Sequence, residues 1–398
     1  MERRIWPLWL ALIVLLAGCG GVLESGTPAP PPTVTPRPWR PPTVPITLEN
    51  VTGLALLGIN RLPTGGAYHF DFSDDGRLAL TVGADDTVRL WDATTGQLQW
   101  AIGEADTTRA FFVLDDTQVV LIRRDNEAAL YDVTTTDLLR TFRLYPGRVG
   151  PAAVSPDGRL LAVGAVDGIV TIWDLEAGRQ AAQFEAHAAP VEVVQFGADG
   201  TFLATSSDER VIRLWNVAEG RSRAVLADFD RSPEQVALSP DGSLLAMSTD
   251  NEVRVWATGN GAPVQVIQTE LRAAIRQVAI APQGWVLGGG LGDGVEMWSL
   301  TDGSLFAALP DHGENFKQMA ISPTAPLVVT VAFPGRVFLW NLDNPNQRFQ
   351  LSAQADQISL AGWTPDGRVL LLSAADGGLW FWGIPGEPVL PVTPTPED

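Results

Sequence analysis

Thiols, lysines and histidines are nearly missing from this chain. One cysteine, Cys19, in 398 residues rules out an internal disulfide and any cysteine-built metal cluster. The three histidines, His69, His187 and His312, stand far apart, and no general base, nucleophile or metal-ligand set can be assembled around them. The sequence therefore calls for no cofactor, no metal and no catalytic residue. A single lysine, Lys317, stands among 27 basic residues against 46 acidic ones, a formal charge of -19. Nucleic-acid binders owe their affinity to cations that neutralise phosphates, so this balance excludes a nucleic-acid partner.

What the chain has in abundance is glycine, proline and tryptophan, 39, 30 and 14 of them. The tryptophans fall on a ladder with one tyrosine: Trp91, Tyr131, Trp173, Trp215, Trp256, Trp298, Trp340 and Trp382, spaced 40, 42, 42, 41, 42, 42 and 42 apart. An aromatic anchor repeating every 40 to 45 residues is the pattern of a four-stranded propeller blade. Turn sequences keep phase with it: the glycines of Ser73-Asp74-Asp75-Gly76, Ser155-Pro156-Asp157-Gly158, Gly197-Ala198-Asp199-Gly200, Ser239-Pro240-Asp241-Gly242, Ala281-Pro282-Gln283-Gly284 and Thr364-Pro365-Asp366-Gly367 precede their anchors by 14 or 15 residues. Such turns supply the positive φ that tight hairpins need. In Thr87-Val88-Arg89-Leu90-Trp91, Val88 and Leu90 face one way and Trp91 the other, so the strand end is apolar on both faces. A blade held between two others requires this.

The fold expected is all-β: one propeller of eight four-stranded blades over residues 46–386, seven blades being the fallback if the Tyr131 unit is irregular. Residues 53–60 stand where a last strand belongs, whereas the final unit stops near Trp382, so this N-terminal strand is expected to close the ring. Residues 387–398 read as a loose Pro/Thr-rich tail.

Residues 1–18 begin with Arg3-Arg4, run apolar from Ile5 to Leu16 and end in Ala17-Gly18, the layout of a secretory signal. Leu16-Ala17-Gly18-Cys19 resembles the lipobox of bacterial lipoproteins, in which the cysteine becomes the acylated N-terminus. That resemblance implies lipidation of Cys19, membrane association through acyl chains and an extracytoplasmic, lipid-anchored location. Residues 19–45 then form a Pro-rich tether, nine prolines lying between residues 24 and 45.

The repeats resemble the WD-repeat family. In that family a His before the first strand, a Ser or Thr on the second, an Asp in the next turn and the Trp form a hydrogen-bonded set. Here Asp stands six residues before the anchor at Asp85, Asp125, Asp167, Asp250 and Asp376, and His 28 before it only at His187 and His312. In those two units Thr205 and Thr330 are present, but Glu209 and Pro334 take the Asp place. No unit carries the whole set, so burial is expected to hold the blades more than that network does.

Turns between second and third strands share one face with the loops between blades, and they are rich in carboxylates. Asp86, Asp208, Asp228, Asp230 and Asp311 are the candidate residues for an acidic face that receives a protein partner with a basic surface. The bland account is that such side chains serve their own turns and solubility. Asp71-Phe72-Ser73-Asp74-Asp75-Gly76 resembles the start of a calcium loop, yet Val82 stands where the bidentate Glu belongs. The function expected is a membrane-tethered, monomeric, non-catalytic interaction platform. The alternatives are a propeller enzyme with an active site at the axis and an envelope-assembly scaffold lipoprotein.

Overall fold

The structure, a computed structural model, describes residues 40–103, 106–226, 235–249, 252–269, 274–290, 294–310, 312, 316–351 and 357–386. Eight antiparallel four-stranded sheets form eight blades of a propeller ring. Blade 1 comprises Ala67–Phe72, Leu78–Gly83, Thr87–Asp92 and Leu98–Gly103, from inner to outer strand. The inner strands of blades 2 to 8 are Thr107–Val113, Val149–Val154, Val191–Phe196, Gln235–Leu238, Ile275–Ala281, Phe316–Ile321 and Ile358–Trp363. The Tyr131 unit is a regular blade, so the fallback of seven does not apply.

All eight anchors lie on third strands, and seven are buried; Trp173 is half-buried and stacks on Phe142 at a centroid distance of 4.8 Å. The core is divided among the joints between blades. One cluster joins Leu80 and Leu90 of blade 1 to Ala110, Leu121 and Tyr131 of blade 2, and another joins Leu371 and Phe381 of blade 8 to Ala79 and Trp91 of blade 1. A sheet apolar on both faces has nowhere else to put them, and burial at about 25 cal/mol per Å² is what binds neighbour to neighbour. Small residues admit the aromatics. A Cβ on Gly288 would lie 2.6 Å from the Trp298 ring, and one on Gly289 2.4 Å from that of Phe316.

Where a threonine stands ten places before a tryptophan anchor, its hydroxyl takes the indole N–H. Trp91, Trp215 and Trp340 donate to the hydroxyls of Thr81, Thr205 and Thr330, each at 2.9 Å. Where the residue at that place is Leu372, the Trp382 N–H is buried without a partner. Burial keeps the anchor in place there on its own.

Inner strands have one free edge and are tied across it by side chains. The Gln277 amide donates to Met319 O at 2.9 Å and accepts from Met319 N at 2.6 Å; Gln318 does the same with Ala361 at 3.3 and 2.8 Å. On blade 1, His69 Nε2 lies 2.8 Å from Ala110 O, and Asp71 Oδ2 accepts from Phe112 N at 2.6 Å. Burial lowers the pKa of His69 to about 4 and raises that of Asp71 to about 7.

The ring closes as the sequence requires. Ala55–Arg61 pairs antiparallel with Gly378–Gly383 as the outer strand of blade 8. Before it, Ile46 N donates to Gly367 O at 2.9 Å, and Ile46 and Val51 are buried against blades 7 and 8. Pro42 bridges Pro385, and Gly386 N donates to Pro41 O at 3.1 Å. Both described chain ends thus leave from one face, that of the hairpins joining first to second strands.

Two outcomes test these contacts. Trp215→Ala should lower stability by roughly 3–5 kcal/mol in chemical denaturation, and an unchanged midpoint would mean that the ladder is not the core. A carboxyl whose folded pKa is raised from 3.8 to about 7 contributes stability that is complete below pH 3.8 and is lost as pH rises through 7. Asp71→Asn should therefore raise the melting temperature relative to the wild type at pH 8 and bring little gain at pH 5. His69, with its pKa lowered, acts in the opposite sense below 6.5 and is common to both proteins.

Candidate functional site: the loop face

The face opposite the chain ends is built from the turns between second and third strands and the loops between blades. Most of its carboxylates are engaged within their own turns. Asp85 takes a bidentate contact from Arg89, with Nη1–Oδ1 and Nη2–Oδ2 at 3.0 and 2.6 Å, and this guanidinium holds its pKa below the usual carboxylate range. Glu127 pairs with Arg123, and Glu252 with Arg254. Asp167 accepts the Tyr145 hydroxyl at 2.6 Å.

In blade 4 the family's hydrogen-bonded set is complete, with a glutamate in the aspartate's role. His187 lies between Thr205 (Nε2–Oγ1 2.8 Å) and Glu209 (Nδ1–Oε2 2.9 Å), and Trp215 donates to the same Thr205 hydroxyl. Glu209 also takes Arg213 at 2.5 Å and Ala188 N at 2.9 Å. The extra methylene of glutamate spans the gap that made the set look broken. In blade 7, where Pro334 fills the acid's place, His312 Nδ1 uses Leu309 O at 2.9 Å instead, and its Nε2 lies 2.6 Å from Thr330. The network is thus present in two blades, beside the burial that was expected to hold the blades more than it does.

Of the candidate residues, Asp86 and Asp208 are on this face and exposed. Asp86 is held outward by a left-handed backbone, φ 54°. Asp208 lies beside Glu192, the second residue of the inner strand of blade 4, whose pKa is raised by burial and by the Asp208 charge. The sequence reading did not single out Glu192; its signal was the position 23 residues before Trp215, where a strand residue faces the axis. Cys19, Asp228, Asp230 and Asp311 lie outside the described residues. Among the described residues no group of three His, Cys, Asp or Glu side chains is placed to hold a metal. The oxygens of the calcium-like stretch are taken up locally: Asp75 Oδ1 accepts from Ser73 Oγ at 2.8 Å and Arg77 N at 2.9 Å. Two clefts, of about 580 and 330 Å³, open on the opposite face, between blades 3 and 4 and across blades 1 to 3.

Comparison with known proteins agrees with this architecture. The WD40 family model (WD domain, G-beta repeat) matches residues 61–92, 147–174, 178–216 and 232–257, so these stretches carry WD40 repeats. Human WD repeat-containing protein 3 is 31% identical over 105 residues, which are 26% of this chain and 11% of that protein. Target of rapamycin complex subunit wat1 of Schizosaccharomyces pombe is 29% identical over 117 residues, 29% of this chain and 37% of that one. Target of rapamycin complex subunit LST8 of Saccharomyces cerevisiae is 25% identical over 120 residues, 29% and 39% of the two chains. The chain thus spans well under half the length of these relatives. Among solved structures, the computationally designed Ika8 protein superposes with a TM-score of 0.69 at 18% identity, covering 81% of this chain and 98% of that one, a likeness of fold alone.

The blade 4 set gives a pH test. Burial works to raise the pKa of Glu209, but the Arg213, Ala188 and His187 contacts outweigh it and bring the carboxyl from 4.5 to about 2. A depressed carboxyl contributes stability that is complete above pH 4.5 and is lost as pH falls toward 2. Glu209→Gln should melt lower than the wild type at pH 7, the two curves converging as the pH falls below 4.5; a constant gap down to about pH 2.5 would show that the charge plays no part.

Proposed function

We propose that this protein is a lipid-anchored, extracytoplasmic propeller that serves as a protein-interaction platform on a bacterial membrane, without catalysis of its own. The observation that carries the reading is the placement of the two ends: Pro41 and Pro42 are stapled to Gly386 and Pro385 on one face, and the exposed Asp86 and Asp208 stand on the other. The chain therefore enters the propeller at residue 40 on the face opposite the exposed carboxylates, which suits an anchor at Cys19 and a partner on the loop face. Acyl chains contribute about 0.8 kcal/mol per buried methylene, so several on one cysteine hold a protein without a spanning helix. The three histidines support a non-catalytic role, since each is engaged with a main-chain carbonyl, a threonine or a glutamate of the scaffold. Two relatives are named as subunits of a target of rapamycin complex, which accords with a role in binding other proteins.

The partner of this face is a protein with a basic surface, met by a monomeric propeller. In membrane fractionation of the native host, Cys19→Ala should move the protein out of the detergent phase or leave it unprocessed. Lipid labelling of that variant at the wild-type level would refute the anchor.

A further inference from the structure

On the face of the chain ends, joints between neighbouring blades are sealed in a repeated way. A long side chain from the outer strand of one blade lies against the turn between third and fourth strands of the next. Trp100 of blade 1 donates its indole N–H to Val133 O at 2.8 Å, and Arg140, on the blade 2 outer strand Leu138–Arg143, places Nη1 3.5 Å from Glu176 O. Arg223, on Arg221–Leu226 of blade 4, donates to Gly259 O at 3.1 Å. Gln265, on Pro263–Gln268 of blade 5, lies so close to Gly303 of blade 6 that a Cβ there would meet its Nε2 at 2.1 Å.

The joint between blades 3 and 4, flanked by these, is built differently. Trp100, Arg140 and Gln265 each pair with the residue before the anchor, Leu90, Leu130 and Val255; in blade 3 the residue that pairs with Ile172 is Ala182. One place earlier, where blade 4 has Arg223, blade 3 has Ala181. The aromatic part of the joint is unchanged, since Phe184 packs on Trp215 at 4.4 Å as Phe142 does on Trp173 at 4.8 Å. Small side chains at these two places leave the cleft of about 580 Å³, which Ala181, Ala182, Ile172 and Ala218 line. Ala218 stands two residues before Gly220, as Glu176 and Gly259, which meet Arg140 and Arg223, stand before Gly178 and Gly261. Asp157 and Asp199 complete the lining. Their turn contacts, Ser155 Oγ to Asp157 Oδ1 at 2.5 Å and Thr201 Oγ1 to Asp199 Oδ2 at 2.8 Å, leave further lone pairs on each carboxylate. Arg159 and Arg223, whose charges act on these two carboxylates, do not line the cleft.

We propose that the cleft between blades 3 and 4 binds an alkylguanidinium group, with its stem on Ala181, Ala182 and Ile172 and its guanidinium between the Ala218 carbonyl and the carboxylates of Asp157 and Asp199. The ligand then takes the part that Arg140 plays in the joint before and Arg223 in the joint after. A planar guanidinium donates in several directions at once, as a carbonyl and two carboxylates around one cleft require, whereas an ammonium is a compact, strongly hydrated point charge. The formal charge of -19 favours the approach of any cation. The shape of this cleft selects one with a slender apolar stem. The site lies on the face of the chain ends, so it does not depend on the platform reading of the loop face.

The test uses the full chain in neutral detergent, titrated with n-butylguanidinium and, as the uncharged control, n-butylurea, with binding read by ligand-detected NMR. Butylguanidinium should bind at least about tenfold more tightly than butylurea. Ala182→Arg, which gives this joint the side chain that its neighbours carry, should abolish binding while melting at or above the wild type. Asp199→Asn should weaken binding several-fold, and Asp86→Asn, on the other face, should leave it unchanged. A short end-blocked glycine peptide with one central arginine distinguishes the sources. Tighter binding of the peptide than of butylguanidinium assigns the site to an arginine of a partner protein, and equal or weaker binding assigns it to a free alkylguanidinium compound. Equal affinity for butylguanidinium and butylurea overturns the proposal, as does undiminished binding in a folded Ala182→Arg protein. Undiminished affinity in Asp199→Asn, or a loss as large in Asp86→Asn, overturns it as well, since attraction would then come from the net charge and not from the cleft.

Discussion

No blade of this protein can bury its own faces, and that constraint shapes everything else. A third strand such as Thr87–Asp92 is apolar on both sides, so its stability depends on sheets before and after it, and the demand propagates around the ring until it meets itself. Closure is then an energetic necessity. The final blade lacks an outer strand in sequence order, and Ala55–Arg61 supplies it from the other end of the chain.

That dependence explains which parts of the fold could be read from the residues. The anchors had to recur at the period of a blade because each fills the same joint, and the glycines had to keep phase because each hairpin needs the same backbone. Hence eight blades, third-strand anchors and the closing strand were all legible. Hydrogen bonding was less so. Glu209 was read as a departure from an aspartate motif, yet one more methylene lets it reach His187, Arg213 and the Ala188 amide together. A motif records residue identity, whereas the contact depends on reach.

The loop face was the least legible part, for a reason of the same kind. Counting acids along the turns gives a uniformly acidic surface, but pairing takes place in three dimensions. Asp85, Glu127, Glu209 and Glu252 are neutralised by arginines two or four residues away, while Asp86 and Asp208 are exposed and Asp208 acts on Glu192. Glu192, Arg276 and Lys317 sit on strands, where a survey of turns does not look. They stand 22 or 23 residues before their anchors, so the repeat itself held the information once the bulge in each inner strand showed which residue is left out of the pairing.

The way the chain enters the ring ties the two ends of the propeller together mechanically. A pull applied at Arg40 meets first the Pro41–Gly386 hydrogen bond and the Pro42–Pro385 bridge, then the Ile46–Gly367 bond with Ile46 and Val51 buried behind it, and only afterwards the closing strand. The N- and C-terminal segments are bonded to each other there, so the load passes into blade 8 from both sides of its outer joint. Ala55–Arg61 lies antiparallel to Gly378–Gly383 along its length, and its six registered pairs oppose sliding together, not one after another. The strand that closes the ring is thus shielded by the segment that leads to it.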